Sequence, residues 1–222
     1  AGNTAQGNQA TAVGNLAGNT GQLTQATAVG SNAGQTTQGA QATAVGMAAG
    51  GTTQQTAATA VGYNAGNASQ GGAATAIGNL AGQTNQSPSN VAVGDSAGNL
   101  TQGEECVAIG HNAGSGNQSA GAGFAVAVGA QAGTDTQGAS TVAVGYMAGN
   151  RTQGSGSTAI GANAAPTGQP VRQICINSGG LAFNGANANA CYINSLAGIA
   201  HGIGVGVVFF NSTTKELSYS TT

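Results

Sequence analysis

The residues able to serve as acids, bases, nucleophiles or metal ligands are few and scattered. The acidic residues are Asp95, Glu104, Glu105, Asp135 and Glu216, the histidines His111 and His201, and the cysteines Cys106, Cys175 and Cys191. Glycosidic cleavage needs two convergent carboxylates. Glu104 and Glu105 are neighbours, which on a strand would face them opposite ways, and Asp95 and Asp135 lie further apart still. Neither histidine has a second ligand at metal-binding spacing, and the cysteines show no CxxC pattern. The cysteines therefore read as buried thiols acting as small hydrophobes. No Walker-type phosphate loop occurs, and the glycines recur too regularly to mark one site. The chemistry-bearing residues point to no catalytic centre, no cofactor and no metal.

Composition explains why. The 222 residues include 41 Gly and no Trp, and only 4% are charged, against about 25% in ordinary domains. A net charge of −2 leaves no basic footprint for nucleic acid. No apolar run is long enough for a spanning helix, so no membrane insertion is expected. No signal peptide is read in the opening residues, which already sit inside a repeat, as expected of a processed product or a fragment of a longer molecule. With so few charges, solubility falls to Asn, Gln, Ser and Thr.

The dominant signal is internal periodicity. A motif A-[VI]-G ends at Gly14, Gly30, Gly46, Gly62, Gly78, Gly94, Gly110, Gly129, Gly145 and Gly161; every interval is 16 residues except one of 19. Eight residues after each lies a glutamine: Gln22, Gln38, Gln54, Gln70, Gln86, Gln102, Gln118, Gln137, Gln153 and Gln169. Three residues after each lies an alanine, nearly always followed by glycine. Sixteen residues is too short for a pair of helices and suits one coil of a parallel β-solenoid. The segments "TAVG", "VAVG" and "VAIG" have β-branched residues flanking a small one, which is strand-like. Alternation along a strand places Thr11 and Val13 on one face and Ala12 on the other. The unvarying Ala implies a wall close by, and we expect it inside the coil with Val and Ile turned toward a neighbouring chain. The expected fold is all-β: a β-roll of ten 16-residue coils over residues 1–165, followed by a β-rich transition and cap over residues 166–222.

Stacking predicts that residues 16 apart lie above one another, and the scarce charges fit. Asp95 and His111 each follow a marker glycine by one place, in neighbouring coils. Asp135 and Arg151 each follow one by six. Such in-register partners are what cross-strand pairing favours. Phe124 reads as part of the three-residue insertion in the long interval, where an aromatic on a bulge suits a binding loop or fills an irregular core. Met47, Tyr63 and Tyr146 follow marker glycines and read as recognition spots or corner covers. Asn67-Ala-Ser and Asn99-Leu-Thr match the glycosylation triplet.

A coil offers one Val or Ile, sometimes a second, worth about 1.5–3 kcal/mol each when buried. That is little for ordering sixteen residues, so a second buried face between chains is expected. Pro166 and Pro170 read as breaks in the repeat. Beyond them "CINSGG" and "YINSLAG" recur 17 residues apart as a looser coil. Val207–Phe210 and Leu217–Tyr219, with a polar turn between, read as a hairpin.

The runs "TAVG..AG", "VAVG..AG" and "VAIGHNAG" resemble the "SVAIGxxS" repeat of the YadA-like head in trimeric autotransporter adhesins, over about residues 1–165. That resemblance implies a left-handed parallel β-roll assembled as a homotrimer with its strand faces around the axis. The invariant Gln and the strict 16-residue period depart from that family's pattern, and no coiled-coil stalk or anchor barrel is recognisable in these residues. "VVFFNSTTKELSYSTT" resembles the hairpin of phage and large-DNA-virus tail-fibre proteins that precedes an intramolecular chaperone. These resemblances imply a structural adhesive fibre on the outside of a virion or cell, with itself and a surface receptor or glycan as partners. His201 would then lie where three copies could approach an ion on the axis. Two other readings compete: an ice- or crystal-binding solenoid, whose Thr ladder here is one wide and broken, and a polysaccharide-degrading β-helix enzyme.

Overall fold

The computed structural model describes residues 1–118, 123–178, 180–194, 207–210 and 217–220, the last two segments as backbone. All regular structure among them is β. Twelve short strands, from Thr11–Val13 to Cys191–Asn194, form one parallel sheet in strict chain order. A parallel sheet whose neighbours are always the next coil along the chain is a parallel β-solenoid.

The register is the sequence repeat made spatial. Thr11, Ala12 and Val13 lie against Thr27, Ala28 and Val29, and so on up the stack. The long interval leaves the register intact, because Val107 to Ile109 still pair with Val126 to Val128. The ten marker glycines therefore form one column. Gly78 has φ +130°, and a Cβ there would sit 2.4 Å from the carbonyl oxygen of Gly94. Only glycine combines that backbone conformation with so close an approach of the next coil. The column ends at Gly161, where Asn177 takes the next place and its side chain donates to the carbonyls of Ala162 and Leu181 at 2.7 and 2.6 Å.

Each coil closes through corners that place ordinary residues in the left-handed region, such as Asn32 at φ +59° and Gln41 at +60°. Such residues cost about 1–2 kcal/mol each, so an isolated coil is strained and is held by its neighbours.

The interior is narrow and filled by columns of one residue type. The middle strand residue (Ala28, Ala44, Ala60 and their equivalents) is fully buried, as is the corner alanine (Ala33, Ala49, Ala65). This places the invariant Ala inside the coil, as its constancy implied. A third column comprises Ala26, Ala42, Ala58, Ala74, Asn90, Cys106, Ala125, Thr141, Ser157 and Gln173, all buried.

Two expectations need correction. Pro166 and Pro170 do not interrupt the stack. Gln169 between them bridges to Gln153, and Ile174–Asn177 pairs with Thr158–Ile160 at the ordinary offset. Both prolines lie on the return path, away from the long sheet, so that sheet keeps its amide donors. The solenoid thus extends past residue 165 to Asn194, two strands beyond the ten expected. The 17-residue offset of the last strand stacks Cys191 on Ile174 and Tyr192 on Cys175. Cys191 is accordingly exposed, whereas Cys106 and Cys175 are buried. The hairpin is present as an antiparallel pair of Val207–Phe210 with Leu217–Ser220. His201, Glu216 and the segment "HGIGVG" lie outside the described residues.

Candidate functional site

The repeat glutamines form an internal spine. All ten, from Gln22 to Gln169, are buried. A glutamine in an otherwise polar segment reads as surface, and these are the opposite. The Gln38 amide nitrogen donates to the Thr27 carbonyl at 2.8 Å, the Ala42 carbonyl at 3.4 Å and the Gln54 side-chain oxygen at 3.1 Å. Two N–H groups serve three acceptors, so one bond is shared. The same bonds recur at Gln22 and Gln54. The spine is interrupted twice: the side-chain oxygens of Gln86 and Gln137 accept no bond. The break at Gln137 falls where the three extra residues enter. The glycine after the corner alanine makes room for this amide, since a Cβ on Gly34 would lie 2.7 Å from the Gln38 side chain. The pairing of A-G with Q four places later is a steric match.

The other half of the site is what the coils turn outward. Two parallel columns line the outer face of the long sheet. One holds Val or Ile in every strand: Val13, Val29, Val45, Val61, Ile77, Val93, Ile109, Val128, Val144, Ile160, Ile176 and Ile193. The other is Thr at residues 11, 27, 43, 59 and 75, then Val at 91, 107, 126 and 142, then Thr158, Ile174 and Cys191. None of these side chains is buried; Val13 is 56% exposed and Ile77 40%. Continuous over twelve strands, the stripe runs roughly 50 Å at the ordinary strand spacing. An exposed apolar stripe of that extent marks an interaction surface.

The scarce charges lie beside it. Asp95 and His111 do meet, with the His111 Nε2 3.7 Å from a carboxylate oxygen of Asp95. Asn79, one coil earlier, donates to Asp95 at 2.7 Å. Both partners are about half exposed, so the pair contributes little, about 0–1 kcal/mol. Asp135 and Arg151 stack in register, the Asp135 amide donating to the Asn150 carbonyl at 2.9 Å. No ion pair joins them among the described residues.

Glu104 and Glu105 sit on a corner, not on a strand, and both are exposed. Phe124 is not itself an inserted residue. It occupies the same left-handed corner place as Glu105 and Ser140, its amide donating to the Glu104 carbonyl at 3.0 Å, and its side chain is 58% exposed. Core filling is thereby excluded for it. The extra residues 119–122 lie outside the described ones. Met47, Tyr63 and Tyr146 are also exposed, in the column beside the Val/Ile stripe. A shallow groove runs along another corner, lined by Leu80, Asn99, Leu100, Gly116, Thr134 and Asp135. Gly116 sits in register between Leu100 and Asp135, and a Cβ there would run into the Asp135 and Thr134 carbonyl oxygens of the next coil. Among the described residues no three of His, Cys, Asp and Glu come together as a metal set.

Burial pushes the Cys106 thiol up from its ordinary value, against weaker opposing bonds from backbone. Raised pKa and lost access both suppress thiolate reactivity. Cys106 should therefore resist iodoacetamide in the folded chain and react fully once urea unfolds it, as read by peptide mass spectrometry. Rapid native alkylation would show that the coil opens there.

These features define the class: a parallel β-solenoid with an alanine and glutamine interior and one outward apolar stripe. No family model, curated protein or solved structure matches the chain.

Proposed function

We propose that the chain is a structural, non-catalytic rod of an extracellular fibre, on a virion or cell surface, built from three copies and used for attachment. One observation carries the reading: the interior takes small side chains and hydrogen-bonded amides, while the continuous apolar stripe faces out. The protein's larger hydrophobic surface is thus offered to a neighbour and not to its own core. The motif resemblance to YadA-like heads and to viral tail fibres supports three as the number of copies. Attachment would be polyvalent, because three chains and repeated coils raise effective concentration without a strong single site. Tyr63, Tyr146, Phe124 and the groove at Gly116 are the surface features a receptor or glycan would contact.

Electron microscopy of the purified chain tests the rod. Stiff particles at least roughly 50 Å long, matching the strand spacing, are expected. Compact globules, or turnover of a polysaccharide substrate, would overturn the reading. The threonine column gives a second reading one specific support, because Thr11 to Thr75 are in register over five consecutive coils. Thermal hysteresis of the purified rod would favour ice binding over attachment.

A further inference from the structure

The two outward columns are not uniform, and the difference has a direction along the rod. In the first five coils the stripe is one apolar residue wide, with Thr beside Val or Ile. In the next four, Val91–Val93, Val107–Ile109, Val126–Val128 and Val142–Val144, it is two apolar residues wide. We propose that, among copies held side by side in register through this face, the four consecutive valine-paired coils form the clamp that holds them. This rests on the assembled-rod reading above and adds where the holding force lies.

The occupant is a second copy for two reasons. A neighbour that touches a side chain in every coil must repeat at the same rise, and another copy of the chain does so by construction. Neither column holds a single charge across twelve strands, so identical faces meet without like-charge repulsion. The adjoining column would not allow this everywhere, since Asp95 lies in it. Apolar burial scales with area removed from water, so coils offering two valines gain more than coils offering one. A threonine hydroxyl at the interface must instead find a partner or stay wet.

The test uses the full chain. Val107→Asp with Val126→Asp places two carboxylates in the clamp; Thr43→Asp with Thr59→Asp places two in the threonine-led half. Both pairs project outward, so the coil should survive, which far-UV circular dichroism checks. Sedimentation velocity across a concentration series should show association weakened at least tenfold by the valine pair and less than threefold by the threonine pair. An assembled wild type that both pairs disrupt equally, or neither, overturns this inference alone. A wild type that never assembles overturns the multi-chain reading as well.

Discussion

Replacing Gly78 with alanine should split the rod at one coil boundary. The new Cβ would sit 2.4 Å from the Gly94 carbonyl oxygen and 2.7 Å from its carbon, with φ fixed at +130°. Both atoms are backbone, so no side chain can swing aside. Neither can the Gly94 coil retreat, because the same column repeats above it at Gly110. Strain at such a φ costs about 1–3 kcal/mol, and the overlap adds to it, giving a loss of about 4 kcal/mol or more, the range of exceptional substitutions. A control sits six residues away. Gly72 has no atom closer than 3.6 Å to an added Cβ and no left-handed φ. Gly72→Ala should be neutral or stabilise by about 0.4–1 kcal/mol through the unfolded chain. Thermal unfolding of the two variants, with amide exchange around Ala92–Gly94, separates them. Equal melting temperatures would contradict the stacked-glycine geometry.

The second large effect is expected inside. Gln54→Leu roughly keeps the volume but removes the donor to the Thr43 and Ala58 carbonyls and to the Gln70 side-chain oxygen. The Ala58 carbonyl still accepts from the Thr43 amide at 2.9 Å, so the loss is that of the three bonds, each worth about 0.5–1.5 kcal/mol and together about 1.5–4.5 kcal/mol. The neighbouring Gln55 is exposed, and Gln55→Leu should shift stability by less than about 0.5 kcal/mol. Because stacked repeats couple mainly to nearest neighbours, exchange protection should fail first in the coils on either side of Gln54. Equal effects of the two leucines would mean that the spine is not buried as described.

Much of this architecture was legible because stacking converts a sequence period directly into contact. The marker glycines and the Ala12-type residues gave both coil length and the inner face, since only a wall of backbone makes every copy small. The role of Gln22 and its equivalents was not legible in the same way. A polar residue among Asn, Thr and Ser carries no sign of which side it faces. The signal was the fixed spacing from glycine to glutamine, Gly34 to Gln38, whose meaning is steric. Phe124 misled because the three added residues precede it, and counting back from Gly129 places it at an ordinary corner. Pro166 and Pro170 misled because a proline breaks a strand ladder only where its missing N–H is needed, and the return path does not need it there. Cys191 escaped because a single added residue, 17 in place of 16, turns its strand by one place and sends the thiol outward.

The most direct test is the mass of the native particle. Sedimentation equilibrium or light scattering on the folded chain should give three times the 20.8 kDa of a single copy. A well-folded species that stays at 20.8 kDa through the micromolar range would contradict the account, because the Val/Ile stripe would then face water along its whole length.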